Sequence, residues 1–471
     1  MKTFLMCLAT LVLGYFTYAK YVDKNTRLDD ANVTPANRLE DGVDYMPMPW
    51  YKVFLIQFLN IAGTGPIFGA IMGALFGPVA FLWITFGTIF AGGVHDYLSG
   101  VISMKHDGAS VSELVGIYLG DTMKKVMRVF SVILLILVGT VFVTSPAGLL
   151  SSMTGMDNTV WVIIIIAYYI LATILPVDKV IGKVYPLFGA SLLFMAVGLL
   201  VAMIFGEVKG TMHMAEMTLT NMHPDGLSVF PFLFTTIACG AISGFHATQS
   251  PMMARCINKE SESKKVFYGA MIVEGIVALI WCAVTIAFFG DSLSIQAALA
   301  ESGGQSGVVG VISKELLGPI GAILAVLGVV ACPITSGDTA FRSARLTIAD
   351  AFKIKQETLI DRFKLAIPLF VVCIILTNID FNIIWRYFAW SNQTLAMIVL
   401  WMSAVYLIKN KANYWISLLP ATFMSYVSVA YILQAPEGLR LPAMFSNIVG
   451  VVAAIVLFIF FLAKRKSMTN K

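Results

Sequence analysis

Charge is scarce in this chain. Asp, Glu, Lys and Arg make up 13% of its 471 residues, against about a quarter in soluble domains. That composition excludes an ordinary soluble fold. No basic stripe interleaved with aromatics occurs, so the net charge of +5 does not point to nucleic acid. Cysteine is sparse as well. Cys7, Cys239, Cys256, Cys282, Cys332 and Cys373 are dispersed, without disulfide or metal-ligand spacing, and read as reduced packing residues. No nucleophile–base–acid constellation appears, and no glycine loop is followed by the Lys-Ser/Thr of a nucleotide site. Neither an enzyme nor a bound cofactor is expected.

What the chain has in abundance is long apolar runs, with 58% hydrophobic residues. Thirteen segments are apolar over about 17–25 residues, the length that crosses a bilayer. They cover 3–19, 52–76, 79–103, 126–150, 159–176, 184–206, 229–255, 266–289, 319–342, 363–379, 383–407, 414–434 and 442–463. The reading is an all-α polytopic membrane protein. About 27 of the 32 Lys and Arg residues fall in one alternate set of loops: 20–52, 104–128, 177–183, 255–265, 342–364, 408–411 and 464–471. The other set holds only Lys2, Lys209, Lys314 and Arg440, and Arg386 lies inside a span. This skew places the amino end outside, the carboxyl end in the cytoplasm and the loop 291–318 outside, partly helical. Residues 1–19 also have the outline of a signal peptide, but Lys20, Lys24 and Arg27 follow the run, which favours a retained helix.

Two spans carry helix breakers at mid-depth. One reads Asn60-Ile61-Ala62-Gly63-Thr64-Gly65-Pro66, the other Cys239-Gly240-Ala241-Ile242-Ser243-Gly244-Phe245-His246, about 180 residues on. Broken backbone inside a membrane survives only where protein or a cavity satisfies it. A second pair, Val143-Thr144-Ser145-Pro146 and Ile334-Thr335-Ser336-Gly337-Asp338-Thr339, lies two spans after each break. The matched positions predict two five-span units of opposite orientation, with broken helices 1 and 6 meeting at the midplane. The chain then divides into 1–51 (extra helix and cytoplasmic linker), 52–206 (first unit), 207–228 (external connector), 229–407 (second unit) and 408–471 (two helices and a basic tail).

Ionisable residues inside spans are functional suspects: His95, Asp96, His246, Glu274, Asp338 and Arg386. The hydroxyls of Thr335, Ser336 and Thr339 with Asp338 suit a hard cation such as sodium, completed by carbonyls freed near Ala62 to Gly65. Alternatively these hydroxyls bond back to their own helix and Asp338 pairs with Arg342. His246 is read as a donor to a substrate carboxylate or a proton carrier, or as a satisfied buried histidine. Glu274 is a proton carrier or a partner of Arg386. Arg386 itself could hold an anionic group bidentately or snorkel outward. His95-Asp96 is read as fixing the cytoplasmic end of its span. Ser391-Asn392-Gln393 lines a gate or joins helices.

Ile61-Ala62-Gly63-Thr64-Gly65-Pro66, Phe230-Pro231-Phe232-Leu233-Phe234, Ile237 to His246 and Ser391-Asn392-Gln393 resemble motifs of the carbon-starvation protein A family. Gly92-Gly93-Val94-His95-Asp96-Tyr97, Glu274, and Asp338 with Arg342 and Arg345 are similar to it too. The resemblance spans about residues 50–410. It implies a bacterial inner-membrane carrier, linked to starvation, that takes up peptides or pyruvate on a five-plus-five inverted-repeat fold. Long members carry two histidines before the first glycine motif, where this chain has Leu55-Ile56-Gln57-Phe58, and an expanded region where this chain has only 291–318. If those histidines serve proton coupling or substrate choice, neither carries over to this chain, and the Thr335-Ser336 pair keeps sodium open beside the proton as coupling ion.

The expectation is a symporter for a small carboxylate-bearing solute in the bilayer, with a non-transporting sensor as the alternative. Gly63, Thr64, Gly65, Gly240, Ser243, Gly244, His246 and Arg386 are the expected substrate set. Ala62, Thr335, Ser336, Asp338, Thr339 and Glu274 are the ion-coupling set, with sodium at Thr335 and Ser336.

Overall fold

A computed structural model describes residues 1–42, 44–174, 178–356 and 358–469, without the side chains of 174–186 and 469. Pro176 and the side chains of the loop expected at 177–183 therefore lie outside the described residues. No strand occurs among the described residues.

The first helix, α1 (Lys2–Thr26), buries Phe4 and Leu11 in the bundle and leaves Leu13 and Phe16 facing out. Next, α2 (Trp50–Ala62) winds for 13 residues and stops at Gly63, whose ψ of −140° is not helical. The chain resumes as α3 (Gly65–Ala74), turned by 47°. Pro66 stands in the first turn of α3, where its missing N–H leaves no bond unmade. A π-wound stretch, Trp83–Gly92, leads into α4 (Gly93–Lys105). A short α5 (Val111–Leu119) precedes α6 (Asp121–Thr154), α7 (Asn158–Ile174) and α8 (Asp178–Lys209).

The second break follows Phe234–Thr236. Ile237 leaves the helix at ψ 68°, and Gly240 takes φ +91°, a region that disfavours any side chain. Helix resumes as α9 (Phe245–Ala254). Then come α10 (Gly269–Phe289), α11 (Ser292–Glu301) and α12 (Gln305–Ala325), the last broken at Gly318 just before Pro319. So the 291–318 connector is helical over most of its length. A π-wound turn joins α12 to α13 (Cys332–Phe352), which packs along α6. The chain closes with α14 (Leu359–Leu376), α15 (Phe381–Lys409), α16 (Trp415–Gln434) and α17 (Ala443–Thr469).

Eight helical segments among the described residues are long and apolar enough to cross a membrane, or nine if α2 and α3 form one span; α7 is apolar but shorter. Large apolar side chains such as Val456, Ile459 and Phe460 on α17 are exposed. That is tolerable only where the surroundings are hydrocarbon. The molecule is a multi-span membrane protein.

One end of the bundle is tied shut by the linker before α2. The Met46 and Met48 N–H groups donate to the carbonyls of Arg255 and Cys256. Lys105 pairs with Glu260 at 2.6 Å, Arg38 pairs with Asp107, and the Ser261 hydroxyl donates to Asp30. The opposite end opens into a cavity of about 1090 Å³ walled by Thr144, Thr235, Glu301, Asp380, Trp385 and Arg386.

Candidate functional site at the paired helix breaks

The two breaks lie against each other. A Cβ on Gly65 would fall 2.4 Å from Cys239 Cβ, and one on Gly240 would fall 2.5 Å from Ala278 Cβ and 3.5 Å from Pro66. Only glycine at these points lets the unwound segments meet.

Helix termini freed by a break need partners, and α15 supplies them for the second break. Asn392 accepts the Phe245 N–H through its side chain at 2.7 Å and the Gly244 N–H through its carbonyl at 3.1 Å, so it caps α9. Gln393 donates to the Phe234 carbonyl at 2.9 Å, on the other side of the break. The polar run in α15 thus clamps the second broken helix across its gap. At the first break, Ser145 of α6 donates to the Thr64 hydroxyl at 3.4 Å.

Beside the second break lies a fully buried acid–imidazole cluster. Asp96 of α4 bonds Nδ1 of His95 through one carboxylate oxygen and Nδ1 of His246 through the other, both at 2.8 Å. His246 Nε2 stands 3.5 Å from Glu274 Oε2 of α10. The Gly240 N–H donates to Glu274 Oε1 at 3.2 Å. An ionised Asp96 can only accept, so both imidazoles present their Nδ1–H to it. The cluster links α4, α9, α10 and the unwound segment. His95 and Asp96 were expected to fix a helix end; instead they are wholly buried at its centre. They stand in the first turn of α4, directly after the π-wound Trp83–Gly92.

The hydroxyl group on α13 behaves differently. Thr335 donates to the Cys332 carbonyl at 2.7 Å and Thr339 to the Thr335 carbonyl at 3.2 Å, both within their own helix. Ser336 alone reaches across, donating to the Leu59 carbonyl at 3.4 Å. The carbonyl it meets lies one turn before the one expected, because α2 stays wound through Ala62. Asp338 sits on the same helix, partly buried.

Arg386 does not join Glu274. Its Nε donates to Glu437 at 3.0 Å, and Tyr431 donates to the same carboxylate at 2.5 Å. The Glu437 side chain is buried, while that of Arg386 is 39% exposed at the cavity wall. Of the expected substrate set, Gly63, Thr64, Gly65, Gly240, Ser243, Gly244 and His246 gather at the breaks, and Arg386 stands apart in the cavity wall. Cys239, read as packing, also lies at the breaks, with its thiol 3.5 Å from the Ser243 hydroxyl.

A family profile described as "Carbon starvation protein CstA" matches residues 1–151 and 144–309. A membrane protein of Haemophilus influenzae is 45% identical over 64% of this chain and 94% of its own length. The peptide transporter CstA of Campylobacter jejuni is 25% identical, over 94% of this chain and 81% of that one. The pyruvate/proton symporter BtsT of Escherichia coli is 25% identical over 57% of this chain, which spans 46% of BtsT. Among solved structures, a variant of the Eremococcus coleocola manganese transporter aligns with a TM-score of 0.56 at 12% identity, over 89% of this chain and 95% of that one. Mhp1, a nucleobase–cation symporter in a closed, ligand-bound state, aligns at 0.51 and 13% identity, over 91% and 96%. Those likenesses show a shared transporter fold; the Campylobacter and Escherichia relatives and both structural neighbours are transporters, not enzymes. The broken helices, the buried cluster between them and the profile match agree: the chain belongs to the carbon starvation protein CstA family.

Proposed function

We propose that this protein is an ion-coupled symporter that imports a small carboxylate-bearing solute, pyruvate or a short peptide, across the bacterial cytoplasmic membrane. The observation that carries the reading is the direct apposition of two unwound helices at Gly65 and Cys239 beside a buried polar cluster. Unwound helices at mid-membrane are where secondary transporters bind their cargo. The names of the Campylobacter and Escherichia relatives support the solute class.

In this reading thirteen spans form two inverted five-helix units plus α1 and the last two helices. The amino end lies outside and the carboxyl end inside. The solute enters through the 1090 Å³ cavity, where its carboxylate meets Arg386. It then lies among Gly63, Thr64, Gly65, Gly240, Ser243, Gly244 and His246. Asn392 already occupies donors at the start of α9, so the α3 N-terminus offers the freer dipole to an anion. The coupling ion is H⁺ or Na⁺, with Ala62, Thr335, Ser336, Asp338, Thr339 and Glu274 as the coupling set. Sodium would draw the Thr335 and Ser336 hydroxyls toward the Leu59 carbonyl. Access alternates by rocking one helix group against the other, which requires the strap at residues 27–49 to release.

Purified protein in liposomes tests this. Labelled pyruvate or dipeptide should accumulate under an imposed proton or sodium gradient, and exchanging the gradients names the ion. Binding without accumulation would favour a sensor and end the transport reading.

A further inference from the structure

Three metal-ligand atoms converge at the second break. Cys239, His246 and Glu274 each place one within 4.8 Å of the other two. All three side chains are buried, with exposures of 4%, 0% and 0%. Each sits on a different piece of chain: the unwound segment, the first turn of α9, and α10.

The Cys239 thiol is held only by long contacts, 3.5 Å to the Ser243 hydroxyl and 3.7 Å from the Asn392 amide, which a metal would replace. His246 Nδ1 is taken by Asp96, which takes His95 on its other oxygen. Glu274 Oε1 is taken by the Gly240 N–H. That leaves His246 Nε2 and Glu274 Oε2, buried and without a hydrogen bond, 3.5 Å apart. Two buried polar atoms left open and aimed at one spot are costly unless something binds there. The arrangement behind them is the one that metal sites use. A carboxylate holds the far nitrogen of the ligating histidine, fixing the tautomer and aiming the other lone pair.

The spacing suits a small tetrahedral ion. With metal–nitrogen and metal–oxygen bonds of about 2.0–2.2 Å and a metal–sulfur bond of about 2.3 Å, ligand atoms sit roughly 3.3–3.7 Å apart. The His246–Glu274 edge already has that length, and the edges to Cys239, 4.8 Å at most, need to close by no more than about 1.5 Å. A thiolate, an imidazole and one carboxylate prefer a borderline-soft ion over Na⁺, Mg²⁺ or Ca²⁺.

We propose that Cys239, His246 and Glu274 form a binding site for a divalent transition-metal ion of the Zn²⁺ type, with Asp96 as the positioning residue behind His246. On binding, the Cys239 thiol passes its proton to the water shed by the incoming hydrated ion, and sulfur bonds the metal. Three protein ligands leave a fourth position open. The ion would tie the unwound segment to α9 and α10. If the break must move for transport, which rests on the function proposed above, the bound ion holds it still and inhibits uptake.

Binding is read without any transport assay. Tag-free full-length protein in nanodiscs is titrated with Co²⁺. The expected result is a sulfur-to-cobalt charge-transfer band with four-coordinate ligand-field bands, displaced by one equivalent of Zn²⁺. Cys239→Ser should lose the charge-transfer band. Asp96→Asn should weaken Zn²⁺ binding by about 10–100-fold, with thermal unfolding confirming that each variant is folded. Wild-type protein that shows no such band, or a band that survives in Cys239→Ser, overturns the proposal. In liposomes, Zn²⁺ should slow uptake by the wild type. If uptake itself fails, the function reading falls and the cobalt spectrum still decides the site.

Discussion

Two polar clusters lie inside the bundle, and they settle their hydrogen bonds in opposite ways. On α13, Thr335 and Thr339 turn back onto carbonyls of their own helix, and Ser336 reaches α2 only over 3.4 Å. Around Asp96 the buried bonds cross between elements or join side chains: Asp96 takes His246 from α9, and Glu274 of α10 takes the Gly240 N–H from the unwound segment. The reason is chemical. A hydroxyl can be satisfied one turn away, so it needs no neighbour. An ionised carboxylate only accepts, and the N–H groups of a helix interior are already taken, so a buried one must find donors on other side chains or at a break. The first kind of cluster tolerates isolation; the second holds four pieces of chain in register.

Substitutions can break or sharpen this contrast. Asp96→Ala should be the most damaging, since it strands two buried imidazoles. Removing one partner of a buried ionic network costs about 3–5 kcal/mol. A large drop in the detergent unfolding temperature is expected, together with loss of uptake, and an unchanged melt would refute the cross-linking role. Gly65→Ala comes next. Its new methyl overlaps Cys239, and forced overpacking costs about 1–3 kcal/mol. Uptake should fall more than stability, because the breaks separate. Asn392→Leu removes the cap of α9 and should cost about 1–2 kcal/mol, read as faster hydrogen exchange over 245–248.

On the hydroxyl side, Ser336→Ala and Thr335→Ala should each move stability by about 1 kcal/mol or less. Their informative readout is the sodium dependence of uptake: if it is unchanged, sodium does not bind there. The smallest effect concerns Glu216 in the connector. Its carboxylate accepts from the Thr3 hydroxyl, the Met1 ammonium and the backbone N–H groups of Thr3 and Lys2, which hold it down at about 2. A depressed carboxylate stabilises above its unfolded value of about 4.3 and loses that contribution as pH falls toward 2. Fraying of the start of α1, followed by hydrogen exchange, should therefore increase below about pH 4 and should already be present at neutral pH in Glu216→Gln. Equal protection in both proteins would exclude the cap.

Much of the frame was legible. The breaks at Gly63 to Pro66 and at Cys239 to Gly244 stand where the glycines and proline put them, because these residues change backbone preference locally. Asn392 and Gln393 announced themselves as polar residues needing partners, but not which partners. His95 and Asp96 read as fixing a helix end, while the partner of Asp96, His246, lies 150 residues on, and nothing in the sequence sets those two helices side by side. Arg386 was offered to Glu274, while its partner Glu437 lies in a connector 51 residues on. Nothing local in either stretch signals that pairing.

The sequence by itself determined that this chain lives in a bilayer and where its helices break, since hydropathy, glycine and proline act on the residues beside them. Only the tertiary structure decided that Asp96, His246 and Glu274 form one cluster with Cys239 at its edge. That outcome depends on how helices far apart in sequence lean together, and on buried charges that no single helix could satisfy alone.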